Sequence, residues 1–156
     1  MMIQAKIVKR KMAGINTESA ASNRILIEVG AGELIDKLTI LHIKHERFAD
    51  AVKRANVARE LLSLEAARSN LVCEFPAVAA LEVELRAINE VLWKVEDAIR
   101  ECEAHNDFGP SFVELARAVY KNNDTRAELK RKINLLCGAR IIEEKSYNPD
   151  PGQAKR

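Results

Sequence analysis

Apolar residues recur at three- and four-residue steps through most of the chain, the period of amphipathic helices. Leu34, Ile35, Leu38, Leu41 and Phe48 share one arc of a first helix that opens near Glu33. A turn near Ala49–Val52 separates it from a second, with Val57, Leu61, Leu64, Leu71 and Val72 on its stripe. Pro76 suits the first turn of a third. There Val78, Leu81, Leu85, Ile88, Leu92, Val95, Ile99 and Cys102 form an a/d seam, which calls for near-antiparallel packing or a partner helix from another subunit. Asn106-Asp-Phe-Gly-Pro110 breaks the chain, and Phe112, Leu115, Val119 and Tyr120 stripe the helix that follows. Lys121-Asn-Asn-Asp124 reads as an interruption, with Asn123 or Asp124 capping a last helix that Gly138 stops. Two stretches, about 24–29 and 140–145, carry β-branched runs instead and read as short strands, candidates for pairing with each other.

The expected fold is therefore mainly α, an antiparallel helical bundle of four to five helices with those two strands. Its expected domain is 23–147, flanked by a basic, disordered leader (1–22) and a flexible tail (148–156). Composition narrows the class further. With 47% hydrophobic residues, only 6 Gly and 4 Pro among 156, the chain is neither collagen-like nor disordered. The net charge of +2 belongs to the leader, where Lys6, Lys9, Arg10 and Lys11 face only Glu18; the remainder sums to −1. A nucleic-acid partner is thus not expected. Neither a secretory signal nor an 18-residue apolar run for a membrane span is visible. Cys73, Cys102 and Cys137 are odd in number and far apart, so they read as buried thiols of a cytoplasmic protein, with no metal site or cofactor expected.

Candidate chemistry is sparse. Gly30-Ala-Gly32 lacks the third glycine of a dinucleotide fingerprint (Ile35 stands there), and Glu33 would repel a pyrophosphate, so it reads as a turn. Asp107-Phe-Gly109 reads as a helix-joining turn. His42, His45 and Glu46 lie on neighbouring turns without the spacing of a zinc motif, and His42 reads as a satisfied boundary histidine. Arg126 and Lys130 sit beside the apolar arc of the last helix. A cation there pairs with a carboxylate, with Asp36, Asp124, Glu143 and Glu144 as candidates, or lines an anion site. Ile40 and Ile43 point away from the main arc of the first helix, close to Asp36, as in a helix sandwiched between neighbours or covered by a partner.

Gly32-Glu-Leu-Ile-Asp-Lys-Leu-Thr-Ile-Leu41, Asn106-Asp-Phe-Gly-Pro110, Phe112–Tyr120, Asn123-Asp124 with Arg126-Ala127, and Glu143-Glu-Lys-Ser-Tyr147 together resemble a family of small bacterial proteins catalogued as a domain of unknown function. The resemblance implies a compact, mostly helical cytoplasmic domain beginning near Ile25. It implies no established activity, and no catalytic residue is carried over. Relatives accompanying glycosyltransferases of surface polysaccharides would fit it.

Two functions follow as expectations. The first is a non-enzymatic interaction or oligomerisation module, self-associating or meeting a bacterial protein partner through Ile40, Ile43, Leu85 and Leu92. The alternative is a binder of, or enzyme acting on, an anionic metabolite such as a sugar nucleotide or a phosphate or carboxylate compound. Its pocket would combine Asp36, Lys37, His42, Asp124, Arg126, Lys130, Glu143, Lys145 and Tyr147. Arg126 or Lys130 would orient the anion and His42 or Glu143 would move a proton.

Overall fold

A computed structural model describes residues 25–73 and 75–145. The leader, the tail and Tyr147 lie outside the described residues. Four helices follow one another: α1 (Ala31–Arg47), α2 (Ala51–Arg68), α3 (Phe75–His105) and α4 (Pro110–Leu136). Asp50 caps α2, its carboxylate accepting from the backbone N–H groups of Val52 and Lys53 at 2.8 and 2.9 Å. Asn106, at φ 54°, ends α3 in the left-handed region. Asp107 then turns the chain, its carboxylate accepting from the Gly109 N–H, and α4 starts on Pro110.

The most extensive packing is α3 on α4, and α1 touches all three other helices. Glu33 meets Lys130 and Asp36 meets Arg126, so α1 runs antiparallel to α4. The core gathers Ile35, Val78, Leu85, Leu129 and Ile133, with Cys73 and Cys137 against it. Burial, reinforced by the Cys73 thiol, pushes Cys137 up to about 12, so it stays protonated at neutral pH.

Three expectations change. First, α4 is one helix, without an interruption at 121–124. Asn122, Asn123 and Thr125 hydrogen-bond back to the carbonyls of Ala118, Val119 and Lys121, four residues earlier, so their side chains are satisfied inside the helix instead of capping a new one. Second, the described residues contain no strand. Residues 25–29 and 140–145 are irregular. No backbone hydrogen bond joins them among the described residues; what links them is the Arg140 guanidinium on the Glu28 carboxylate. Strand propensity without a ladder partner does not make a sheet.

Third, Ile43, Leu85 and Leu92 are 1%, 0% and 8% exposed, so they are taken up by this chain's own packing and present no face to a helix of a second copy. The seam of α3 is covered by this chain's own helices, and the second apolar side of α1 is sandwiched among its neighbours. Only Ile40 of the four interface candidates remains half-exposed.

Gly30-Ala-Gly32 is likewise not a turn but the opening of α1, with Gly30 as N-cap. A Cβ on Gly30 would lie 2.6 Å from Asn134 Oδ1, and one on Gly32 would lie 2.9 Å from Lys130 Cα and closer still to its carbonyl oxygen. The glycines let the N-terminus of α1 press against the backbone of α4. Asn134, 2% exposed, closes this crossing by accepting the Gly32 N–H at 2.7 Å.

Candidate functional site

α1, α3 and α4 enclose a groove of about 380 Å³. Its wall on α1 is Ile40 and Lys44, one turn apart; α4 supplies Asn123 and Arg126. The wall on α3 is one face of the helix: Asn89, Leu92, Trp93, Glu96, Asp97 and Arg100. From Asn89 to Arg100, about 1.5 Å of rise per residue gives that face a length of roughly 16 Å.

Behind the wall lies a buried polar network. Asp36 is 3% exposed. Arg126 grips both its oxygens, Nε at 2.9 Å and Nη2 at 2.5 Å, and Asn89 donates to it at 2.9 Å. The Asn89 amide also reaches the Thr39 hydroxyl at 2.9 Å. Hydrogen bonding to Asp36 raises the Arg126 pKa further despite partial burial. The guanidinium is thereby fixed in one pose, its Nη1 left to a long contact with Asn123 at 3.4 Å.

The other cations of the groove are less committed. Arg100 meets Glu96 at 3.5 Å, and both are well exposed. Lys44 has no carboxylate within ion-pair distance among the described residues. Trp93 is half-buried at the rim, with the Phe48 ring 6.2 Å away and the Arg47 guanidinium 5.3 Å from its centroid.

The candidate residues read from the sequence fall in several places. Arg126 lines the groove and Asp36 orients it. Lys130, only 12% exposed, is clasped between Glu33 and Glu143. Burial works against its charge, but the hydrogen bonds to Glu143 and Glu33 outweigh this and raise its pKa. Lys145 closes on Glu143. This cluster straps the C-terminal segment onto α1 and α4. Lys37 pairs with Glu60 on α2 at 2.7 Å. His42 meets Glu65 at 3.2 Å on the far side of α1, as a boundary histidine does. Asp124 is exposed on α4. Lys44, Asn89, Trp93, Asp97 and Arg100 were not among the candidates. One signal could have found the first of the polar α3 residues. Asn89 stands four residues after Leu85 and three before Leu92, a polar group on an apolar face.

The strap makes a pH prediction. Hydrogen bonds from Lys130 and Lys145 hold Glu143 at about 2, below its ordinary 4.5. A depressed carboxylate stabilises the fold above its unfolded pKa and ceases to do so as pH falls through the folded one. The melting temperature of the wild type should therefore exceed that of Glu143→Gln at pH 6, and the gap should close between pH 4.5 and 2. A gap that stays constant across this window would show that the strap does not titrate through Glu143.

The profile of a family of unknown function (DUF6165) matches residues 25–153. The chain belongs to this family. All four helices fall within the matched residues. Neither the curated proteins nor the solved structures contain a match to the chain. Family membership thus assigns no activity. Among the described residues no helix is long and apolar enough to cross a membrane, and no group of three or more His, Cys, Asp or Glu side chains is placed to hold a metal ion.

Proposed function

We propose that this DUF6165 protein is a non-enzymatic binding module whose groove between α1, α3 and α4 takes a small molecule bearing a phosphate or carboxylate. One observation carries the reading: Lys44, Arg100 and Arg126, one cation from each of three helices, line the same cavity. Convergent cations in a concave site of this size suit a compact anion, and a guanidinium already fixed by Asp36 loses little freedom on binding. Phosphate and carboxylate metabolites, sugar nucleotides among them, fit this description.

The test is a titration of pyrophosphate by calorimetry at low salt. Binding to the wild type and at least tenfold weaker binding to Lys44→Gln would support the groove. Lys44 is chosen because it holds no ion pair among the described residues, so its replacement removes none; circular dichroism of the variant checks its fold. Equal affinity in the two proteins, or no binding to either, would remove this reading.

Self-association is a second reading, and what supports it now is different from the seam. Ile25, Leu26 and Ile27 are 86%, 84% and 77% exposed, an apolar run with no backbone partner among the described residues. Light scattering should then report a mass above one chain for the wild type and a single chain for Leu26→Asp. A monomeric wild type at micromolar concentration excludes it.

A further inference from the structure

The groove carries two charges that the fold leaves without a partner, and they are of opposite sign. Lys44 on α1 and Asp97 on α3 both line it. Neither lies within 4.0 Å of an opposite charge among the described residues, and they do not meet each other. This contrasts with the rest of the surroundings. Arg126 has Asp36, Arg86 has Glu46 and Glu90, Lys37 has Glu60, and Glu96 has Arg100. Leu92, buried, and Trp93, half-buried, line the same cavity and supply its apolar part.

We propose that the groove selects a zwitterion: an ammonium group on Asp97, a phosphate or carboxylate on Lys44, and a short carbon chain over Leu92 and Trp93. The proposal rests on the binding reading above and narrows it from anions in general to anions that carry an amine. The physical reason is complementarity. A simple anion would satisfy Lys44 but would feel the Asp97 and Glu96 carboxylates in the same cavity. A molecule with a cation at its other end turns that repulsion into attraction. Arg100, drawn by Glu96, and Arg126, held by Asp36, frame the site without competing for the ammonium. The Trp93 indole, which already carries the Arg47 guanidinium, adds apolar contact at the rim.

The experiment uses the full-length protein and a ladder of ω-aminoalkyl phosphates with two to five methylenes, each compared with the alkyl phosphate lacking the amine. Affinities are measured by calorimetry at low salt. One aminoalkyl phosphate should bind the wild type at least tenfold tighter than its amine-free counterpart. In Asp97→Asn this preference should vanish, with the affinity for the alkyl phosphate unchanged or improved. In Lys44→Gln both affinities should fall. Circular dichroism and thermal melts of the variants, whose replaced side chains hold no ion pair, confirm that they fold. Equal binding of both series to the wild type overturns the zwitterion while leaving the anion groove standing. A preference that persists in Asp97→Asn overturns the assignment of the ammonium to Asp97. No binding of either series overturns both readings together.

Discussion

Arg126→Met is expected to lower the free energy of unfolding by about 3–5 kcal/mol, the range for breaking one partner of a buried ion pair. For a chain of this size that corresponds to a fall in melting temperature of roughly 10 °C. The reason is less the loss of attraction than what stays behind. The Asp36 side chain is 4% exposed and lies between α1, α3 and α4. Without the guanidinium its charge retains only the Asn89 amide as a side-chain donor. Urea denaturation of three proteins checks this. The single variant Arg126→Met should be the least stable, and Arg126→Met with Asp36→Asn should recover at least half of the loss, because the uncompensated charge is gone. A single variant within about 1 kcal/mol of wild type would mean that water reaches Asp36 and the network does not hold the helices. For the same reason Arg126→Ala is a poor probe of ligand binding. It changes the fold before it changes the groove.

Gly32→Ala should destabilise by about 1–3 kcal/mol or more, the range for overpacking a filled interior. On helix propensity alone the change would stabilise by up to about 1 kcal/mol, since Gly32 lies within α1. The clash decides the sign. The added methyl meets the backbone of Lys130, its Cα at 2.9 Å, and backbone in the middle of α4 has no rotamer to move out of the way. The end of α1 must retreat, which stretches the Gly32–Asn134 hydrogen bond and loosens the Glu33–Lys130 pair. The urea midpoint should fall with an unchanged slope. A midpoint that rises would show that the helices separate without cost and that the glycine is not required.

α1 and α3 were legible in the sequence because each carries a stripe of three- and four-residue steps, and the α3 pattern from Val78 to Cys102 locates its helix almost to the ends; the stripe of the second helix overruns α2, since Leu71 and Val72 lie beyond Arg68, and α4 reads as two helices. The failures share a cause. At 121–124 the local preference of Asn for caps competes with a long helix packed along α3, and there the Asn side chains bond backward. The reading of 25–29 weighed propensity, whereas a strand exists only with its partner. That Arg126 and Lys130 pair with carboxylates was legible, because a cation beside an apolar stripe must find one. Which of four carboxylates each would find was not, since this depends on how α1 and α4 cross. The groove was not legible for the same reason: Lys44, Asn89, Asp97 and Arg126 come together only in three dimensions.

The crossing of α1 with α4 also has a consequence for how the molecule is made. α3 and α4 are joined by a short turn and can zip together locally, but Asp36 and Arg126 are 90 residues apart in sequence and Gly32 and Asn134 are 102 apart. During synthesis α1 leaves the ribosome long before the helix that neutralises its buried aspartate exists. At about 5–20 residues per second it waits several seconds with Asp36 and its apolar sides open to solvent. Completion of the domain is therefore a late event, set by the arrival of α4, and any chain that ends before Arg126 has α2 and α3 against α1 but no guanidinium for its buried aspartate.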